Sequence, residues 1–421
     1  MTEKLLQYLW NFKVFKNFDF KDIEGNSVEI INSGQWNANA GPDFLMAKIR
    51  TKGITLAGNI ELHLKSSDWI FHNHSPDPNY QNIILHVVYH HDLEIQEFNL
   101  KGIPTLELKD YLDKNKFQNY QHWTEEHQFI NCEKAFNIHA IPSSFHEDNI
   151  LKKLNEKSAQ LESSLQRYKN DFEAVLFHHL AYSFGLKVNA EIFRLMAESI
   201  DFKIINKTRQ NNVQLEALLF GLSGWLDDPV DEQTRLWKKE FEFIKRKFSI
   251  PDFKFHPKFL RLRPPNFPTI RLSQLARLYH LHQNLFSKLI HTKNYEELSG
   301  VFKNINASEY WDTRFNFGKI STVQKPKSIS KELIELLVLN TILPLKYTYH
   351  RYHNEDISAS ILALYREIPP EKNTVVDQWK SLGIAPKSAL ESQSLIYHYK
   401  NSCEPKNCLN CSIGFRLLNE K

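Results

Sequence analysis

The chain has 421 residues with 53 basic and 49 acidic side chains, 13% aromatic residues, 13 Gly, 17 Pro and 4 Cys. Those counts exclude a collagen-like repeat, low-complexity disorder and a disulfide-framework miniprotein, and a net charge of +4 is too small to make the whole surface a polyanion binder. Glycine supplies about 3% of residues against an average near 7%, so a helix-rich globular protein of two or three domains is expected.

The first fifteen residues are interrupted by Glu3, Lys4, Gln7, Asn11 and Lys13, so they do not read as a signal peptide. The most apolar later stretch, Leu333 to Leu345, contains Glu335, Asn340, Thr341 and Pro344 and is too broken to span a membrane. The expectation is a soluble cytoplasmic protein with reduced cysteines and no membrane partner.

In chain order, Leu5, Tyr8, Leu9 and Phe12 recur at helical spacing. Short strand-like runs follow at Val28–Ile31, Phe44–Ile49, Ile60–Leu64 and Ile83–Tyr89, with turn signals at Gly25-Asn26, Lys52-Gly53 and Ser75-Pro76-Asp77-Pro78. From about His146 the pattern is helical almost throughout: Glu147–Gly185, Ala190–Ser199, Val213–Leu226 and Asp231–Phe248. After a proline-rich break at Pro251–Pro268, helices are expected at Arg271–Ile290, Tyr295–Phe302, Lys331–Leu343, Ile357–Arg366 and Ser388–Lys400. This predicts an α+β protein, with a small mixed α/β domain over residues 1–135 and a larger all-α domain over residues 146–421.

Gly41-Pro42-Asp43-Phe44 leads into one strand and Gly58-Asn59-Ile60-Glu61-Leu62-His63-Leu64-Lys65 forms the next. Strict alternation puts Glu61, His63 and Lys65 on one face, and hairpin-like pairing brings Asp43 near Glu61. Two carboxylates in that position can share Mg²⁺ or Mn²⁺, with His63 or Lys65 to orient or deprotonate water. Ser67-Asp68-Trp69 and His72-Asn73-His74 concentrate further polar groups at the same strand end, where His72 and His74 would hold substrate phosphate or a second metal. The bland alternative is a solvated antiparallel face. His86, inside an apolar strand, reads as a hydrogen-bonded core residue.

The Asp43 and Glu61-x-His63 spacing resembles the PD-(D/E)xK phosphodiesterases, with His63 standing where that signature has a lysine. The resemblance implies a restriction-endonuclease-like N-terminal fold and a metal-dependent nuclease acting on DNA or RNA. A metal hydrolase of small phosphoesters would use the same carboxylates, and a non-catalytic binding or scaffold protein is the competing reading.

Cys403, Cys408 and Cys411 lie within nine residues of one another, and Cys132 stands alone after the α/β region. Such clustering favours a thiolate site for structural Zn²⁺ or a [4Fe-4S] cluster, with unligated buried thiols as the alternative. The layout, one Cys beside the core and three at the far end, resembles that of iron–sulfur nucleases of the same superfamily. Between Lys254 and Arg277 lie six positive charges and no acid. There Arg261, Arg263 and Arg271 are candidates for phosphate contacts, with a charged surface paired to neighbouring acids as the alternative.

Ala40-Gly41-Pro42-Asp43-Phe44, Gly58 to His63, Ser67-Asp68-Trp69, His72-Asn73-His74, Ile84-Leu85-His86-Val87-Val88, Glu216 to Gly221, Arg263 to Pro268 and Cys408 to Gly414 together give the whole chain a resemblance to an uncharacterised bacterial family, domain of unknown function 2851. That resemblance implies no activity.

Overall fold

Leu5, Leu6, Tyr8, Leu9 and Trp10 are the buried residues of the first helix, α1 (Glu3–Asn11), which is capped where the Thr2 hydroxyl accepts the Leu5 N–H at 3.3 Å. The computed structural model describes residues 2–37, 40–112, 128–322 and 324–419. Within them the chain divides into two units, Met1–Pro142 with His398–Lys421, and Ser143–Tyr397. The sequence pattern placed the last segment with the helices; it belongs instead with the first unit.

The first unit is built on one mixed sheet. Its strands are β1 (Val28–Asn32), β2 (Gln35–Trp36), β3 (Phe44–Thr51), β4 (Ile54–Lys65), β5 (Ile83–His90) and β6 (Thr105–Glu107). They lie in the order β1-β3-β4-β5-β6, with β2 also pairing β3. β1, β3 and β4 are antiparallel neighbours, whereas β4, β5 and β6 run parallel. Lys52 and Gly53, both at positive φ, make the two-residue turn between β3 and β4. Parallel pairing demands a crossover, and residues 66–82, with the short helix α2 (Asp68–Phe71), supply the one from β4 to β5. The next crossover contains α3 (Gln96–Lys101).

Two local features position the site. A bulge interrupts the pairing of β3 with β4 between Phe44 and Ala47, where Met46 takes φ 57°, and it sits beside Asp43. On β4, a Cβ at Gly58 would lie 2.5 Å from the Asn82 carbonyl oxygen, so glycine alone lets the incoming chain of β5 approach this closely.

The second unit packs helices such as Phe145–Arg167, Phe172–Phe184, Asn212–Leu222 and Pro268–Leu281 around an apolar core that includes Phe177, Phe220, Trp237, Tyr279 and Trp311. The long helix expected over 147–185 is broken near Tyr168, where Lys169 and Asn170 adopt φ of 54° and 61°. The α+β class holds, with a mixed sheet in one unit and helices in the other. Among the described residues no helix is long and apolar enough to cross a membrane.

Candidate metal centre

Pairing of Phe44 with Ile60 across β3 and β4 sets Asp43 against Glu61. The Asp43 N–H donates to Glu61 Oε2 at 3.0 Å, and the Leu62 N–H returns a bond to Asp43 Oδ2 at 2.9 Å. Gln7, on α1, donates to Asp43 Oδ1 at 2.7 Å. Glu61 is 3% exposed and His63 0%, so this stretch of β4 is covered on both faces and is not a solvated edge. Lys65, two residues farther along, is exposed.

The crossover brings in the remaining imidazoles. Trp69 packs with Ile83, Ile95 and Phe98 and donates its indole N–H to Ser75 Oγ at 3.1 Å, which fixes the loop around it. Asn73 takes the left-handed conformation at φ 56°, and the His74 N–H bonds the Trp69 carbonyl. This turn points His74 inward, stacked on Tyr80 with ring centroids 4.0 Å apart. His72 stays exposed at the rim, its ring 5.0 Å from that of His63.

Three donor atoms converge. Glu61 Oε1 lies 3.6 Å from His63 Nε2 and 3.5 Å from His74 Nε2, and those two nitrogens are 3.2 Å apart. Ligands held about 2.1 Å from one cation stand roughly 3.0–3.4 Å from each other, so the triangle is close to the size a metal ion requires. Donor atoms of His72, with His63 and His74, and of Glu3, with Glu61 and His63, also fall within 4.8 Å of one another.

The electrostatics are those of a site short of positive charge. Burial, and then the Asp43 carboxylate, push Glu61 up to about 9. Burial likewise raises Asp43 to about 6, against the Leu62 hydrogen bond. Burial and the neighbouring imidazoles drive His63 down to about 2 and His86 to about 3, and burial also lowers His74. Neutral imidazoles beside two crowded carboxyl groups offer lone pairs to a cation, which would relieve both strains.

Glu3, Gln7 and Tyr80 complete the centre and were not singled out from the sequence as its members. Glu3 and Gln7 share one side of α1 at i,i+4 spacing, but Lys4 and Asn11 on the same helix are polar too, so the pattern does not mark the pair.

The other candidate residues lie elsewhere. Arg261 and Arg263 are exposed on the helical unit, whereas Arg271 is buried and donates to Gln274 Oε1 at 2.8 Å and Asn266 Oδ1 at 2.5 Å. Lys254 pairs with Asp227 at 2.6 Å, so the segment free of acids in sequence has them as neighbours in space. Cys132, Cys403, Cys408 and Cys411 all fall in the first unit.

A family model described as a protein of unknown function, DUF2851, matches residues 3–374. No curated protein and no solved structure matches the chain.

Proposed function

We propose that this chain, which belongs to the protein family of unknown function DUF2851, is a metal-dependent hydrolase of nucleic-acid phosphodiesters. The observation that carries the reading is the triangle of Glu61 Oε1, His63 Nε2 and His74 Nε2, with edges of 3.2 to 3.6 Å. Its one-oxygen, two-nitrogen donor set suits Mn²⁺ or another transition ion better than Mg²⁺, because imidazole binds the hard, oxygen-seeking Mg²⁺ poorly. A divalent cation bound there supplies Lewis acidity toward a phosphoryl oxygen and lowers the pKa of water.

The chain's own groups have distinct tasks under this reading. Asp43, held by Gln7 and the Leu62 N–H, keeps a second lone pair on each oxygen for the cation. His63, fully buried, serves as a ligand, while exposed His72 takes the proton-transfer role. Lys65, on the strand that carries Glu61, is a cation available to a phosphate there, and Arg261 and Arg263 are exposed cations of the helical unit that would contact phosphates without reading sequence. The phosphodiester assignment rests on the placement of Asp43 before one strand and Glu61-x-His63 on its neighbour.

One observation favours the competing, non-catalytic reading: both Asp43 oxygens and Glu61 Oε2 already accept hydrogen bonds, as a structural polar cluster would. Incubation with single- and double-stranded DNA and RNA in Mn²⁺ or Mg²⁺, beside Asp43→Ala and Glu61→Ala, separates the two. Cleavage that needs metal and both carboxylates supports the hydrolase. Cleavage surviving both substitutions, or none with any substrate, removes it.

A further inference from the structure

The hydrolase reading leaves the cysteines without a role. From His398 onward the chain makes a series of tight turns: a π-turn at Tyr399–Cys403, a 3-10 turn at Cys408–Asn410 and a terminal helix at Ser412–Asn419. Cys403, Cys408 and Cys411 sit on them, and Cys408 and Cys411 are buried. Residues 404–407, between the first two, are exposed and contribute little apolar burial to hold the segment.

A distant segment meets these turns at sulfur. Asn131 donates from Nδ2 to Cys408 Sγ at 3.4 Å, across 277 positions of sequence. The next residue, the buried Cys132, is within electrostatic reach of Cys408 and Cys411, as Cys403 is of all three others. All four side chains are thiols.

Their surroundings differ from those of ordinary core cysteines. The Gly414 N–H donates to Cys411 Sγ at 3.4 Å, and His398 Nε2 lies 3.3 Å from the same sulfur. A Cβ at Gly414 would stand 2.3 Å from the Cys408 carbonyl oxygen, so the backbone closes over the turn only because this residue is glycine. Polar N–H groups aimed at sulfur are poorly rewarded by a neutral thiol, a weak acceptor, and well rewarded by a metal-bound thiolate.

We propose that Cys132, Cys403, Cys408 and Cys411 form a closed four-thiolate site for structural Zn²⁺, which staples the C-terminal turns to the segment around residue 132. Four protein sulfurs fill a tetrahedral shell and leave no position for substrate. Each thiol gives its proton to solvent as the ion binds, and the N–H donors around Cys408 and Cys411 share the resulting negative charge. The site uses none of the donors at Glu61, so each centre can be present without the other.

The test uses the full chain, purified without oxygen, with metal analysis and cobalt substitution. Co²⁺ bound by thiolates gives a near-ultraviolet charge-transfer band that an oxygen and nitrogen site does not. The expected result is one tightly held zinc per chain in both wild type and Glu61→Ala, with the cobalt band present in both. Cys132→Ser should weaken that band, and Cys408→Ser should abolish stoichiometric zinc. If the serine variants do not fold, titration of wild type with an organomercurial should release zinc as the thiols react. Absence of zinc, or iron with sulfide and visible absorption, would overturn the assignment, as would a cobalt band unchanged by Cys132→Ser. Loss of nuclease activity with zinc retained in Glu61→Ala would bear on the Glu61 centre alone.

Discussion

His63 Nδ1 lies 2.9 Å from His86 Nε2, an imidazole pair wholly buried between neighbouring parallel strands. If His63 carries its proton on Nδ1 and donates it to His86, its Nε2 lone pair is left facing Glu61 and His74. His86 Nδ1 has no hydrogen-bond partner, so His86 is held there at a cost of about 1–3 kcal/mol for a buried unmet polar atom.

The first prediction follows from that pair. His86→Leu should lower Mn²⁺ affinity about 10- to 100-fold, the usual effect of removing a group that orients a metal ligand, while unfolding stability in the absence of metal changes less than affinity does. Titration calorimetry beside chemical denaturation checks both. Unchanged affinity would make His86 a packing residue only.

A second prediction concerns stability with metal. Mn²⁺ at about 100 times its dissociation constant should stabilise the unit that binds it by about 2.7 kcal/mol, and the gain should vanish in Glu61→Ala. Mn²⁺ is the apt probe because it binds thiolates weakly and leaves the cysteine site aside. Denaturation curves with and without the ion give the difference directly.

The helical unit supplies a pH prediction. Glu216 is 1% exposed, and burial raises it to about 7 despite a hydrogen bond from Ser273. Its folded pKa exceeds the unfolded 4.5, so the folded state holds the extra proton between those values. The resulting stability is fully present below about pH 4.5 and is lost as pH rises through about 7, a span of up to about 3 kcal/mol. His178 and His179, lowered to about 4 by burial, act in the opposite sense, adding stability as pH rises from about 4 to 6.5. Comparison with Glu216→Gln isolates the carboxyl: the difference between wild type and variant should shift toward the variant from pH 4.5 to 7.5. A difference that stays constant with pH would show that Glu216 ionises normally.

The arginines of the proline-broken segment should separate into two kinds. Arg261→Ala and Arg263→Ala should each reduce the salt dependence of nucleic-acid binding by about one unit of slope, as phosphate contacts do. Arg271→Ala instead removes the donor to Gln274 and Asn266 and should cost about 1–3 kcal/mol of stability. Binding measured across a salt series, with denaturation of each variant, distinguishes them.

Much of the first unit was legible because its signals are local. Alternation marked β4, the Lys52-Gly53 turn set its pairing with β3, and together they place Asp43 against Glu61. Glu3 and Gln7 were not legible as site residues, because their approach depends on how α1 packs on the sheet, and a polar residue on a helix carries no mark of what it will face. Alternation also could not show that Glu61 and His63 are covered. His86 was read correctly as a hydrogen-bonded core residue, but its partner, His63, lies on a strand joined through a crossover whose geometry sequence spacing does not fix. In the helical unit, the apolar period runs through Tyr168, and only the left-handed Lys169 and Asn170 reveal the break.

Calorimetric titration of the chain with Mn²⁺ decides whether Glu61, His63 and His74 hold a metal ion. Wild type should bind one ion per chain outside the thiolate site, and Glu61→Ala and His74→Ala should each bind at least about 100-fold more weakly, as removal of a direct ligand exceeds the effect of losing an outer partner. Equal binding by all three proteins, or no binding by wild type, would show that these three side chains do not form a metal site.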